Sequence, residues 1–573
     1  MSPIRWLWND MGKKRVRLII GLILTAISAG TVIINPMLAQ RLIDDVITPG
    51  NTALLPRLLI TMMVVQIVRL SLRYLMVVIM ELHSTDVITD IRRRMYDIVQ
   101  NQDYHFLGQF RTGNLMTRMT SDLEMIRHSL AWISYQFVDA VVLFASTLIF
   151  LLFINWQLAL SLAVITPFIL FLSRQYIKRF RPRTMLLREK LTQLSTKVTE
   201  NIEGNRVVKA FAREDYEKQQ FEKHNADYRD TSYENALISA QYQPVLEFFS
   251  QVLSVITLMI GGIFLIKGTM TAGQYLSFSS LTWALSNPLR MLGMLLADLQ
   301  RFHAAAAMII EVLESKASIV DCPDPIKLIR PAGRIEFRHV NLAINGNHIL
   351  KDISFKAEPG QTIGILGSTG AGKTALVNML IRFYEPSSGE VFLDGVNVNR
   401  YTLSSLRRRI GLAMQEIFLF SDSIAGNIAY GRTDLDRDSV KLRALQADAA
   451  HFIQSMENGY DTLVGERGVG LSGGQRQRIS LARALAIKPA VLVLDDTTSS
   501  VDSETEHYIQ EQLQNLDFPC TKIIIAGRIS SFRGADLILV MDNGRIVERG
   551  SHEQLLANKG FYYHIWTLQY AER

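Results

Sequence analysis

Hydrophobic positions along the chain follow two patterns. Up to about residue 300 they form long, nearly unbroken apolar runs, whereas beyond residue 334 they come in short runs separated by turn residues. Runs of roughly 20 apolar residues suit a helix that crosses a bilayer. Candidate spans lie at about 18–42, 55–80, 131–154, 156–175, 243–266 and 272–296. The first is long for a cleaved leader, and further spans follow it. The connections Ile47–Ala53, Ile154–Trp156 and Lys267–Thr271 are short and poor in positive charge, while Glu81–His128 and Arg174–Ala240 are long, polar and rich in Lys and Arg. This asymmetry places both termini and the long connections on the cytoplasmic side. The long connections keep a helical period, so they read as membrane helices that continue beyond the bilayer and return.

Composition changes this picture little. The overall 48% hydrophobic and 20% charged residues average two unlike halves. The net charge of +7 could signal a nucleic-acid surface, but clusters such as Lys13-Lys14-Arg15-Val16-Arg17 and Lys178-Arg179-Phe180-Arg181-Pro182-Arg183 sit beside apolar runs. They read as membrane flanks. Cys322 and Cys520 lie in segments read as cytoplasmic, so no disulfide framework is expected. Arg69, Arg73, Asp139, Glu247, Arg290 and Asp298 fall within or near the spans. A charge at bilayer depth is costly and should face a bundle interior or water. Arg69, roughly 21 Å into its span by helix rise, is the stronger candidate for lining a cavity. Glu247 and Asp298 are read as lying on the helical extensions beyond the membrane.

Asp321–Gly333 (DCPDPIKLIRPAG) reads as a linker, and strand and helix patterns alternate after it. Gly367-Ser368-Thr369-Gly370-Ala371-Gly372-Lys373-Thr374 matches the phosphate-binding loop G-x-x-x-x-G-K-[ST]. It lies between a predicted strand, Gln361–Leu366, and a predicted helix, Ala375–Phe383. Such a turn points several backbone N–H groups at one anion. Lys373 adds a charge for the β- and γ-phosphates, and Thr374 adds a hydroxyl for Mg²⁺. Gln415 follows a predicted strand, Ile410–Met414. Leu471-Ser472-Gly473-Gly474-Gln475 opens a helix that Ser472 caps. Ala490–Asp495 is an apolar strand ending in a carboxylate, and the loop Ser499–Asp502 follows it closely.

Together these motifs resemble those of an ATP-binding cassette exporter half-transporter, over nearly the whole chain. The resemblance implies a multidomain chain. An all-α six-helix transmembrane domain with long cytoplasmic helical extensions (1–314) leads through a linker (315–333) to an α/β nucleotide-binding domain (334–573) with an α-helical subdomain around Ala444–Arg483. It implies ATP and Mg²⁺ as cofactors. The phosphate loop, Ile344, Gln415 and Asp495 would hold the nucleotide, with Thr374, Gln415 and Asp495 on the metal side. In this family two nucleotide domains meet head to tail, so Leu471–Gln475 would act on a partner chain's ATP. Glu466, within Thr462–Gly468, and Asp502 would serve interdomain coupling, and Gly113–Asp122 and Arg206–Asp215 resemble the two coupling helices. The expected setting is the cytoplasmic membrane, multi-pass, with a lipid bilayer and a small lipophilic substrate as partners and no nucleic acid.

Three positions depart from the family pattern. Asp496 stands where a catalytic Glu is usual, which draws the carboxylate back by one C–C bond. Gly527 stands where a histidine usually contacts the γ-phosphate, and no histidine lies between Thr521 and Asp536. Ile344 stands where an aromatic usually stacks on adenine. Lys373, Thr374 and Asp495 are kept, and the LSGGQ sequence is intact. The pattern resembles the degenerate-site subunit of heterodimeric multidrug exporters, which bind ATP at this half-site and hydrolyse it poorly. The alternatives are a slow homodimer and, at the level of transport, an exporter-fold importer of a metal chelate or a lipid flippase.

Overall fold

The computed structural model describes residues 2–465, 468–497 and 501–570; the side chains of residues 163–166, 169, 170, 250, 286, 289, 290, 292 and 293 also lie outside the description. The chain divides into two compact units, Met1–Gln100 with Arg111–Ser315, and Asn101–Phe110 with Lys316–Arg573.

The first unit is helical. Leu55–Gln100 runs for 46 residues, Trp156–Glu203 for 48 and Glu214–Ile266 for 53. At 1.5 Å per residue the longest reaches roughly 80 Å, against about 30 Å of bilayer hydrocarbon. Helices therefore extend beyond the membrane, as their periodicity through the polar connections indicated. Among the described residues, Gly12–Ile47, Thr52–Gln100, Thr112–Ile154 and Glu214–Ile266 are long and apolar enough to cross a bilayer. Segments 156–175 and 272–296 are also helical, apart from a turn at Thr282, but they include side chains outside the description. Asn155 alone breaks the chain between two long helices. Its backbone is extended, and its side-chain oxygen accepts from Leu158 N at 3.0 Å, which caps the second helix. Leu151, Leu158, Leu162 and Phe278 are fully buried between helices. Phe153 and Ile266 are 86% and 88% exposed, apolar surface that suits contact with lipid rather than water. The Trp156–Glu203, Glu214–Ile266 and Trp283–Leu313 helices border a cavity of about 1350 Å³, and each contains internal proline: Pro167 and Pro182 in the first, Pro244 in the second and Pro288 in the third.

The second unit holds two sheets. β1 (Ile335–Ile344), β2 (Asn347–Ala357), β4 (Ser388–Leu393) and β5 (Val396–Asn397) form an antiparallel sheet in the order β2-β1-β4-β5. β3 (Thr362–Gly367), β6 (Ile410–Ala413), β7 (Val491–Asp495), β8 (Thr521–Ile525), β9 (Leu537–Asp542) and β10 (Arg545–Gly550) form the second, in the order β10-β9-β3-β8-β7-β6. This second sheet is parallel except for β10. Val491 and Val493 face one apolar core, while Leu492 and Leu494 face the other. Strands buried on both faces read as continuous apolar runs, which is why these segments were visible in the sequence. Boundaries differ from expectation by a residue or a few. β3 starts at Thr362, β6 stops at Ala413, and the helix after the phosphate loop runs Lys373–Leu380, where Ile381 leaves helical geometry.

Helices Arg437–Gln446 and Gly473–Ala486 overlap the two ends of the stretch Ala444–Arg483 read as helical. Arg443 is buried and grips Asp517 with two parallel bonds, Nη1–Oδ1 2.5 Å and Nη2–Oδ2 2.8 Å, and it also lies over the Phe518 ring. The guanidinium holds the Asp517 carboxyl well below the usual carboxylate range. Asp517 remains 38% exposed, so solvent screens the pair. Asp517→Asn leaves the buried guanidinium without its counter-charge, with only Gln446 still accepting from it, and at pH 7 it is expected to destabilise the domain by about 2 kcal/mol. Because the folded pKa is depressed, this stabilisation is complete above pH about 4 and fades as the pH falls through the folded value. Thermal unfolding of wild type and variant in detergent should thus show a gap at pH 7 that narrows under acid.

Candidate functional site

In the parallel sheet, β3, β8, β7 and β6 all end on the same edge. Ligands of open α/β sheets bind beyond the carboxyl ends of the strands. Gly367 closes β3, Asp495 closes β7, Gln415 follows β6 and is exposed, and Gly527 follows β8. The fold thus gathers four separate sequence motifs on one edge.

The phosphate loop is shaped by its glycines. A Cβ on Gly367 would lie 2.3 Å from Met541 O, so β9 leaves no room for a side chain there. Gly372 has φ +95° and caps the Lys373–Leu380 helix, a backbone that favours glycine. Ser368, Thr369 and Gly370 form the outer turn, and Ala371 is buried in the core beneath it. Lys373 Nζ donates to Gly367 O and Ser368 O, both at 2.8 Å, so the ammonium lies across the loop it would share with a phosphate chain. Burial pushes the Lys373 pKa down, against the opposing pull of Asp495 and Asp496. Burial also pushes Asp495 up, and the like charge of Asp496 adds to this, while a hydrogen bond from Thr374 and the charge of Lys373 oppose it. Thr374 Oγ1 donates to Asp495 Oδ2 at 2.8 Å, which holds a hydroxyl and a carboxylate together at the start of the helix. This oxygen pair fits a hard divalent cation bound together with phosphates. Among the described residues no group of three or more His, Cys, Asp or Glu could hold a metal independently.

Asp496 and Gly527 both lie just past the ends of two paired strands. Asp495 pairs with Ile525 across β7 and β8, and Asp496 N donates to Ile525 O at 2.9 Å. Asp496 has φ +50°, a region that short acidic side chains tolerate better than most. A Cβ on Gly527 would meet no atom within 4 Å, so a larger side chain has space there. Ile344 ends β1 at the Asn345-Gly346 hairpin and packs partly against the core. Leu471 is half-buried and Ser472 exposed. Ser472 Oγ accepts from Gln475 N at 3.2 Å, and Gln475 Oε1 accepts from Ser472 N at 2.9 Å, a capping box that opens the Gly473–Ala486 helix with Gly473 and Gly474 in its first turn. Asp502 caps the Ser503–Gln514 helix by accepting from Thr505 N at 2.9 Å, and that bond lowers its pKa. Glu466 lies outside the described residues, as do Ser499 and the side chain of Arg290.

Three features escaped the sequence reading. Glu247 borders the cavity of the first unit, and Arg69, the stronger candidate, is not among its lining residues. Asp298, on the Trp283–Leu313 helix past the expected span, is buried and paired with Arg301. The third concerns the expected coupling segment Gly113–Asp122. Those residues are helical within the first unit, whereas Asn101–Phe110, just ahead of them, packs with the second unit. There Tyr104 stacks on Phe383 at 5.5 Å and meets Tyr384 edge-on at 5.7 Å. Asp103 caps the Tyr104–Gln109 helix and accepts from Ser318 N at 2.6 Å. An N-cap aspartate before an aromatic pair was the available signal. Arg206–Asp215 contains the short helix Asn205–Ala210 only in part, and the next long helix begins at Glu214.

A helical unit with bilayer-length apolar segments and a phosphate-loop α/β domain define a membrane-embedded nucleotide-driven machine. Residues 18–289 match the ABC transporter transmembrane region, and residues 350–499 match the ABC transporter domain. The chain is 34% identical over 553 residues to the uncharacterized ABC transporter ATP-binding protein YknU of Bacillus subtilis, covering 96% of this chain and 94% of that one. It is 32% identical over 539 residues to an ATP-dependent lipid A-core flippase of Syntrophus aciditrophicus, covering 93% and 89% respectively. Its fold matches the structure of a bacterial Atm1-family ABC exporter with ATP bound, with a TM-score of 0.80 at 24% identity over 98% of this chain and 99% of that one. The chain belongs to the ABC transporter family. It is an exporter-type half-transporter, a membrane protein carrying one transmembrane region and one ATPase domain.

Lys373→Ala removes the only charge that the phosphate loop itself supplies. It should weaken labelling of this chain by a photoreactive ATP analogue by about tenfold or more, since charge-assisted bonds are the strong ones. Unchanged labelling would show that the nucleotide lies elsewhere.

Proposed function

We propose that this chain is one half of a heterodimeric exporter that moves lipophilic or drug-like molecules out across the cytoplasmic membrane, with both termini and the ATPase domain in the cytoplasm. Its own phosphate-loop site binds ATP and hydrolyses it poorly, while Leu471–Gln475 completes the catalytic site of a different half-transporter. The placement of Asp496 and Gly527 just past the ends of the paired strands β7 and β8 carries this reading. Both departures fall where a water would be held in line with the γ-phosphate. A carboxylate drawn back by about 1 Å costs on the order of 10²-fold in rate, and no imidazole lies beside it to compensate.

ATP would lie on the phosphate loop, with Lys373 turning from the loop carbonyls to the phosphates and Ile344 packing against the base. Mg²⁺ would neutralise phosphate charge between Thr374, Asp495 and Gln415. Ser472, on a capped helix N-terminus, presents a hydroxyl and the N–H groups of Gly473 and Gly474 to the partner's nucleotide. Closure of the two ATPase domains, transmitted through Asn101–Phe110, Arg206–Asp215, Glu466 and Asp502, would turn the membrane helices outward. A lipid flippase is the second reading, favoured by 32% identity to a protein of that name over most of the chain.

ATPase measured on the purified chain alone and on the chain with its partner tests the assembly. The lone chain should be slower by at least about tenfold, and comparable specific activities would refute the heterodimer. In the lone chain, combining Asp496→Glu with Gly527→His should raise turnover by at least about tenfold, with the added ring occupying the open space at Gly527. Asp496→Glu by itself should change little.

Two substitutions in the complex separate the two sites. Ser472→Arg fills the space meant for the partner's γ-phosphate and should lower ATP turnover by more than about 100-fold, while Asp496→Asn should cost less than about threefold. Equal damage from both variants, each checked for assembly, would sink the asymmetric model.

A further inference from the structure

The cavity of the first unit divides along its length. Trp283, Met291 and Met294 line it at positions within the expected span 272–296. Arg181 and Arg188 line it from the Trp156–Glu203 helix, beyond the expected span 156–175. These two residues are seven apart, so they share one helix face about 10 Å apart along the axis. A third guanidinium, Arg301, is also at the wall, but Asp298 pairs with it. One carboxylate, Glu247, faces the same space.

The charge pairing around Arg181 and Arg188 is selective. Arg183 pairs with Glu234 at 2.6 Å and Lys190 with Asp227 at 3.2 Å. Arg181 and Arg188 point to the cavity and form no ion pair among the described residues. Two neighbouring cations on this helix are thus neutralised, Arg179 lies over the Tyr242 ring and Lys178 is off the cavity wall, while the two at the cavity are left for something that enters it. Arg is suited to carboxylate and phosphate, which it can grip in two-pronged fashion. Among the described residues the lining around Trp283, Met291 and Met294 carries no charge, only amides such as Asn287 and Gln251.

We propose that this cavity takes up an amphiphile with an anionic headgroup from the cytoplasmic leaflet, its chain against Trp283, Met291 and Met294 and its headgroup at Arg181 and Arg188. This rests on the reading of the chain as a transporter of lipophilic substrates, and it adds the sign of the substrate's charge. Glu247 opposes the anion and limits how tightly it is held, as release from a transporter requires.

The test uses the complex in phosphatidylcholine nanodiscs without nucleotide, with tritiated oleoyl lysophosphatidate as probe. Monoolein supplies the same chain without charge, and glycerol 3-phosphate supplies the head without the chain. Each should compete at least about tenfold more weakly than unlabelled lysophosphatidate, a loss of about 1.4 kcal/mol. Arg181→Gln with Arg188→Gln should weaken lysophosphatidate about tenfold and leave monoolein unchanged. Arg181→Lys with Arg188→Lys should keep most of the affinity, and Glu247→Gln should raise it severalfold. Equal competition by monoolein, equal competition by glycerol 3-phosphate, or full affinity in the double glutamine variant would each overturn the proposal. Because no ATP is turned over, failure here leaves the asymmetric ATPase reading standing, and failure of that reading leaves this binding result standing.

Discussion

The parallel hydrogen-bond ladder through β3, β8 and β7 sets the geometry of the ATPase domain. Thr362 pairs with Lys522 and Asp495 with Ile525, so the level of each strand end is fixed against its neighbour. The ladder cannot slip easily. A shift of β7 by one residue would exchange Val491 and Val493 with Leu492 and Leu494 between two cores of different shape. It would also carry Asp495 away from Thr374. Packing on both faces of the sheet thus positions a few polar atoms at its edge, and the chemistry inherits its precision from the apolar interior.

The helical unit obeys a different constraint. In hydrocarbon every backbone polar group must be satisfied within the segment, so helices are the available solution. Their continuation into water needs only continued helical propensity, and no packed interface is required to start it. The exposed Phe153 lies between the buried Leu151 and Leu158, which separates lipid-facing from helix-facing positions within a few residues.

Much of this was legible in the sequence because the signals were local. The phosphate loop needs glycine at fixed places, the LSGGQ stretch carries its own capping box, and doubly buried strands are apolar throughout. Helical continuation past the membrane was likewise readable from period alone. What escaped depends on contacts distant in sequence. Glu247 on the cavity wall is decided by two other helices, and Asp103 by Ser318, 215 residues away. The grip of Arg443 on Asp517 joins residues 74 apart, and neither carries a motif. The burial of Asp298 and its pairing with Arg301 likewise carry no motif. Strand and helix ends shifted by a residue or more because termini are set by capping and turn geometry rather than by hydrophobic pattern.

The internal prolines of the three helices bordering the cavity have a mechanical meaning. Each lacks an N–H, so the carbonyls of Ala163, Lys178, Ala240 and Ala284, four residues before Pro167, Pro182, Pro244 and Pro288, lose their usual intrahelical donor. A helix interrupted in this way bends there with one fewer bond to break, while the segments on either side stay stiff. Each wall of the cavity is therefore jointed rather than rigid. A change of cavity shape can be absorbed as small rotations at Pro182, Pro244 and Pro288, and motion at the far end of an 80 Å helix, a length of roughly 53 rises of 1.5 Å, need not displace the whole rod through the lipid.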